Sequence, residues 1–281
     1  MESRSERRTD DARARLERVR HNPFRAAVAM LIATAFLVLA ACSTPSRPSP
    51  SEDAGTIPGW RLTLPLEGDN GNADSINPAV LSPPYLSRDP GGQLTFWAPV
   101  EGATTRNSDH ARTELSSLDE FRAGTDQREL SASVTVAQVP SESQDVILGQ
   151  IHGAGDIISV PFVMLHYTAG TVHVVVKQER SGDAATKLPL LSGVPLGAAF
   201  DFGLRDNGNG TLTFTARHGS QQTSVDAPVP PAFRDATVRF QAGAYQQDSA
   251  DSGAGAEDGA RVTFATLATT SGTAAPLPSG S

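Results

Sequence analysis

Three short stretches of this 281-residue chain set polar side chains two apart, the spacing that a β-strand turns into a shared face. In Asp145 to Gly153, DVILGQIHG, the pair is Gln150 and His152, with Ile147, Gly149 and Ile151 on the opposite face. The pair offers an amide dipole and an imidazole that titrates near neutrality. In Arg106 to Leu118, RNSDHARTELSSL, an extended run from Ala111 to Leu115 places Arg112 and Glu114 together. Arginine is the side chain suited to a bidentate grip on a carboxylate. In Arg239 to Gln247, RFQAGAYQQ, period two aligns Arg239, Gln241, Gly243, Tyr245 and Gln247 against an apolar face of Phe240, Ala242 and Ala244. Gly243 leaves room beside Tyr245 for a ligand to come close. Each stretch alone also suits an ordinary strand with a polar outer face. Together they present a carboxylate clamp, a titratable imidazole and phenol, and several amides.

Other chemistries lack their residues. No Glu-x-Asp-x-Glu run supplies the paired carboxylates of a retaining glycosidase. No clustered His/Cys spacing suits zinc, and no Gly-x-Ser-x-Gly elbow presents a serine nucleophile. The Asp/Asn/Gly runs at Asp69 to Asn72 and Asp206 to Asn209 have calcium-type oxygens, but the same composition makes turns, the better reading here.

The elements that must position these residues are strands. From Gly59 onward helical periodicity is scarce, and short alternating segments recur between Gly, Asn, Asp and Pro. They include Leu94 to Val100, Glu129 to Val139, Val160 to Tyr167, Thr171 to Lys177, Ala199 to Leu204, Thr211 to Ala216, Val238 to Gln247 and Arg261 to Leu267. Hairpin loops are expected at Thr168-Ala169-Gly170 and at Arg205 to Gly210. About a dozen strands of this kind predict an all-β fold, a two-sheet antiparallel sandwich or jelly roll, in one domain over 59–269. Asp248 to Gly259, acidic and rich in Gly, Ala and Ser, reads as a mobile loop, and residues 270–281 as a disordered tail.

The N-terminus reads as a targeting segment. Arg-rich residues 4–25 precede an apolar run, Ala26 to Leu39, that is short for a bilayer span and placed like the apolar core of a signal peptide. It ends in Leu39-Ala40-Ala41-Cys42, which resembles the lipobox of bacterial lipoproteins. That resemblance implies a signal over 1–41, a lipid on Cys42 and a protein on the outer face of the membrane; a plain secretory signal is the alternative. Arg7-Arg8 lies too far from the apolar run for a twin-arginine signal. Residues 42–58, rich in Ser and Pro, then read as a tether. Cys42 is the sole cysteine, so no intrachain disulfide can form. The formal net charge is -8, and residues 1–41 contribute +3 (8 Arg against 5 Asp/Glu), so the rest carries -11. An acidic body argues against nucleic acid as partner, and an anionic substrate needs a local cationic site. The lipid is the expected membrane contact, and a monomer is expected.

The three stretches together resemble the alginate lyases of polysaccharide lyase family 7. The family's Arg-Ser/Thr-Glu-Leu stands as Arg112-Thr113-Glu114-Leu115, and its Gln-Ile/Val-His as Gln150-Ile151-His152. Its Tyr-Phe-Lys-Ala-Gly-x-Tyr-x-Gln is matched in part by Phe240, Ala242-Gly243, Tyr245 and Gln247, and Trp60 to Pro65 looks like its domain opening. The departures are Arg239 for the motif's first Tyr, Gln241 for its Lys, Ser116 for the Arg after Arg-Thr-Glu-Leu, and His110-Ala111 for Tyr-Pro. The resemblance, over roughly Gly59 to Leu267, implies a jelly roll with its groove on the concave sheet. It implies β-elimination on a 4-linked uronate polymer: Arg112 and Gln150 neutralise the substrate carboxylate, and Tyr245 is the acid. His152 is the base where the two protons lie on opposite sides, as in guluronate. Glu114, Gln241 and Gln247 are then substrate-binding, with no metal or organic cofactor. Ile151 at the motif's centre points to guluronate or mixed blocks. The alternatives are a lyase for another polyuronate such as glucuronan, and a non-catalytic glycan-binding sandwich.

Overall fold

Apolar residues at every second position need a surface to pack against, and here two sheets supply it to each other. The computed structural model describes residues 55–271. Its strands are β1 (Thr56–Ile57), β2 (Trp60–Glu67), β3 (Ala73–Ile76), β4 (Ala79–Val80), β5 (Leu86–Arg88), β6 (Leu94–Pro99), β7 (Arg112–Arg122), β8 (Gln127–Gln138) and β9 (Asp145–Gly153). Then come β10 (Pro161–Thr168), β11 (Thr171–Lys177), β12 (Ala185–Leu191), β13 (Ala199–Asn207), β14 (Thr211–His218), β15 (Gln221–Pro228), β16 (Thr237–Gln246) and β17 (Gly259–Ser271). Every pairing is antiparallel. One sheet runs β12-β11-β10-β9-β16-β7-β2-β3, the other β15-β14-β13-β8-β17-β6-β5, and β1-β4 is a small extra pair. This is the two-sheet jelly roll expected. Among the described residues there is no α-helix, only three 3₁₀ turns.

Between the sheets lies a continuous apolar core. Leu62, Leu115, Ile151 and Phe240 from the first sheet meet Phe96, Val134, Phe202 and Phe264 from the second. Aromatic edges and faces fit there: Phe96 and Phe264 meet edge-on at 5.1 Å, and Phe121 and Phe240 meet tilted at 4.9 Å. The three strands that carry the polar pairs, β9, β16 and β7, are adjacent in the middle of the eight-stranded sheet. Each buries one face in the core and turns the other outward.

Four expectations need correcting. Thr56 and Ile57 belong to the fold and not to a tether, because Ile57 is buried and β1 pairs with β4. At the other end Thr270 and Ser271 still pair with β8, so the tail cannot begin at 270. Both ends of the 248–259 segment are tied down: buried Asp248 accepts hydrogen bonds from the backbone N–H of Glu142 and Ser143, and Asp258 accepts from the Ser141 N–H. Lastly, alternation breaks in β9. Relative to β10, one extra β9 residue, Leu148, sits between the partners of Leu165 and His166, a β-bulge. Leu148 joins the core, Gly149 faces Phe202, and Ile147 turns to the outer face instead of sharing one with Gly149 and Ile151. Cys42, the signal and lipid readings over 1–41, and the remainder of the tether and tail lie outside the described residues.

Candidate active site

Register brings the three polar pairs together. Tyr245 of β16 sits across from Arg112 of β7 on one side and Ile147 of β9 on the other, and Gln241 sits across from both Ser116 and Gln150. The outer face of these strands floors an open groove of about 340 Å³. Arg112, Glu114, Gln150, His152, Gln241, Tyr245 and Gln247, all singled out from sequence, line it.

Glu114 is the keystone of a hydrogen-bonded row. Its side chain is only 2 % exposed, and its two oxygens accept from Arg112 Nη1 at 3.2 Å and from Gln150 Nε2 at 2.6 Å. Gln150 reaches it from β9 across β16, where the register residue opposite Glu114 is Gly243, which carries no side chain. Gln150 Nε2 also donates to Gln241 Oε1 at 3.0 Å, and Gln241 Nε2 donates to Ser116 Oγ at 3.0 Å. A carboxylate only accepts, so Glu114 fixes which end of each amide points where. Burial raises the Glu114 carboxyl above its usual value, and the Arg112 charge and the two hydrogen bonds pull it back. The expected substrate-binding role for Glu114 therefore becomes a positioning one, since both its oxygens are already committed to protein donors. Both Gln150 amide protons are committed too, so donating to a substrate means releasing Gln241.

Arg112 lies over the Tyr245 ring, its Cζ 3.5 Å from the ring centroid. This cation–π contact fixes the guanidinium plane beside the phenol. The Tyr245 hydroxyl is 2.8 Å from Ser108 Oγ. Ser108 Oγ donates its single proton to the His110 carbonyl at 3.0 Å and accepts from the His110 N–H at 3.1 Å. With the Ser108 proton on that carbonyl, the Tyr245 O–H can donate to Ser108 Oγ. Ser108, which reaches the site through Tyr245, was not among the residues singled out from sequence, and Thr63, Thr105, Arg106, Asn107, Ile147, Ile158, Ser159, Pro161 and Met164 line the groove unanticipated. Several come from the 104–111 loop, which has no periodicity to read. Gln247 is half-buried and donates to the Tyr245 carbonyl at 3.1 Å.

His152 is half-buried beside these groups. Its Nδ1 is 3.1 Å from the Gly153 carbonyl, which can only accept, so Nδ1 carries the proton of the neutral ring and Nε2 keeps a free lone pair. Burial pushes this imidazole down to about 4; the Gly153 bond opposes that, and the charges of Arg112 and Arg239 reinforce it. The ring is neutral at pH 7.

Gly243 does not make room for a ligand, as its place in the sequence suggests. A Cβ there would lie 2.4 Å from the Thr113 carbonyl oxygen and 2.9 Å from Glu114 Cα, so the space belongs to the close approach of β7. The turn at Asp206 is likewise structural, because its buried carboxylate accepts from the N–H groups of Gly124 and Gly208.

A hydrolytic site would need two free carboxylates in the groove. The one acid lining this groove, Glu114, is engaged by Arg112 and Gln150, whereas a neutral imidazole and a phenol stand open beside a guanidinium. On a jelly-roll sheet that equipment belongs to the polysaccharide lyases. The family model described as Alginate lyase matches residues 56–271, and the chain belongs to that family. Among solved structures, the chain is similar to an alginate lyase from Pseudomonas aeruginosa, with 26% identity, 76% of this chain and 98% of that one covered, and a TM-score of 0.67. It is similar to alginate lyase A1-II′, a member of polysaccharide lyase family 7, at 26% identity, 76% and 94% coverage and a TM-score of 0.63. An alginate lyase from Klebsiella pneumoniae shares the fold at 20% identity, with 78% and 98% covered and a TM-score of 0.66. No curated protein matches the sequence.

Proposed function

We propose that this lyase cleaves alginate by β-elimination, acting on guluronate or mixed blocks, with Arg112, Gln150, His152 and Tyr245 as its catalytic set. Variants of A1-II′ have been solved in complex with a substrate, GGMG, and with a product, GGG, which supports an alginate oligosaccharide as substrate here. Removing the C5 proton next to a carboxylate builds enolate-like charge. Arg112 is the cation that meets it, and Gln150 joins by exchanging its bond to Gln241 for one to the substrate; this is stabilisation of charge that develops in the transition state. His152 Nε2 takes the C5 proton of guluronate. The C–H electron pair becomes the C4–C5 double bond, the C4–O4 bond breaks, and Tyr245 protonates the leaving O4. On mannuronate Tyr245 in its phenolate form takes the C5 proton and then, as the phenol, gives it to the leaving O4.

The observation that carries this reading is the pairing, in one groove around Arg112, of a neutral imidazole with a free Nε2 and a phenol held by Ser108. A binding-only module would need neither an acid nor a base. Tyr245→Phe removes one oxygen and little volume. It should cut turnover by at least ~10²-fold, the scale of a lost acid–base group, with the thermal melt unchanged. Turnover near wild type, followed by the ultraviolet absorbance of the unsaturated product, would overturn the assignment.

We also propose that the protein is lipidated at Cys42 and held on the outer face of the membrane, on the strength of Leu39-Ala40-Ala41-Cys42. Cys42→Ser should move the protein to the soluble fraction or leave it unprocessed. Identical fractionation and mature mass for variant and parent would refute the anchor.

A further inference from the structure

Arg239 is poorly served as a structural residue. Its side chain is 8 % exposed, close to the 11 % of Arg112. Its Nε is buried without a partner, and its ion-pair contact, to Oε1 of the largely solvated Glu120, is long at 3.7 Å. Stripping water from a guanidinium is costly, and one long contact to a solvated acid does not replace that water. Nor does Arg239 face away from the chemistry. It pairs in register with His152, and Gln241, two residues on, lines the groove, so Arg239 lies on the groove face at the His152 end.

A second cation is close. Arg61 of β2 pairs with Ser116, which pairs with Gln241, so Arg61 extends the same cross-strand row. Burial first, and then the Arg61 charge, pull the Arg239 guanidinium below its usual value, with Glu120 opposing. Two like charges on one sheet face, with the exposed Glu120 at a long distance from Arg239, make a local field that favours an anion. Gln241 and Ser116 are uncharged, and Arg61 and Arg239 flank that pair, so the positive charge at this end of the groove sits on these two arginines.

We propose that Arg61 and Arg239 form a carboxylate-binding subsite at the His152 end of the groove, holding a uronate next to the one that reacts. The inference rests on the polyuronate reading above, and it goes further by placing a second substrate carboxylate. Arg239 supplies the fork suited to a carboxylate and Arg61 a second charge from the neighbouring strand.

The test is a comparison of wild type, Arg239→Gln, Arg239→Lys and Arg61→Gln on alginate oligomers of increasing length, with Arg217→Gln, an exposed ion-pair arginine of the other sheet, as the control. Arg239→Gln should raise KM by about 10-fold or more on long oligomers, the scale of a lost hydrogen bond to a charged group, with kcat changed far less. Arg61→Gln should act in the same direction, Arg239→Lys should restore part of the loss, and the penalty should vanish on oligomers too short to fill the subsite. Calorimetric titration of the same oligomers into Tyr245→Phe with and without Arg239→Gln reads binding without turnover, so the subsite is tested even if the catalytic assignment fails. If Arg239→Gln does not fold, Arg61→Gln carries the same test from a half-buried position. KM and binding within twofold of wild type for Arg61→Gln and any folded Arg239 variant would overturn the subsite, as would an equal penalty at every oligomer length.

Discussion

At the scale of residues, this groove works by committing some polar groups so that others stay free. Glu114 holds Arg112 and Gln150, Ser108 holds the Tyr245 hydroxyl, and the Gly153 carbonyl holds His152 Nδ1 so that Nε2 faces outward. The depressed imidazole has a readable consequence. A base already neutral well below pH 7 should keep working on guluronate blocks as pH falls, the rate dropping only through about 4. An acid limb near an ordinary histidine's ~6.5 would contradict this burial. The linkage has the same direction. The unfolded chain takes a proton on His152 near ~6.5 and the folded one only near 4, so acidification across that window weakens the fold. His173, also pushed down to about 4 by burial and then by His166 and Lys187, adds to it. Arg112, Gln150, His152 and Tyr245 were legible in the sequence because each sits in a motif with strand spacing. Ser108 was not, because a loop hydroxyl has no period, and its partner, Tyr245, lies 137 residues away.

At the scale of elements, the site depends on how closely β7 and β16 approach. Gly243 permits that approach, because a Cβ there would run into the Thr113 carbonyl, Glu114 Cα and the Phe96 ring. Gly243→Ala should lower unfolding stability by about 1–3 kcal/mol, the scale of overpacking, and reduce turnover as well, because the strand pushed away carries Arg112 and Glu114. Denaturant unfolding and initial rates check both. Unchanged stability would mean that the bulged strand relaxes around the new methyl. Strands with strong alternation, such as β8 and β11, could be read within a residue or two. β15 could not: QQTSVDAP is an edge strand with hardly any buried position, so it has no apolar face to betray it. β12 hides for a related reason, since Pro189 inside ATKLPLL argues against a strand anywhere but at the sheet edge, where β12 lies. The Leu148 bulge was invisible because a two-residue period carries no mark of where the pairing slips, and that slip moved Ile147 into the groove.

At the scale of the whole molecule, an acidic body working on an acidic polymer must concentrate its positive charge where the polymer lies. The eight-stranded sheet does so with Arg112, Arg239 and Arg61 on neighbouring strands. Alternating patterns and the scarcity of helical periodicity were enough to expect a two-sheet sandwich or jelly roll, and the family resemblance narrowed that to the jelly roll. The cations around Gln241 were not visible until the register placed Arg61 and Arg239 beside it. The central claim is that one groove holds two ways of taking the C5 proton. His152 serves guluronate, where base and acid must stand on opposite sides, and Tyr245 alone suffices for mannuronate. The most direct measurement is the initial rate of unsaturated product formation by wild type and His152→Ala on guluronate-enriched and mannuronate-enriched alginate, side by side. The account predicts wild-type cleavage that favours guluronate or mixed blocks, and a fractional loss in His152→Ala that is clearly larger on guluronate than on mannuronate. Equal fractional losses on both blocks would contradict it, as would hydrolysis products without the unsaturated end.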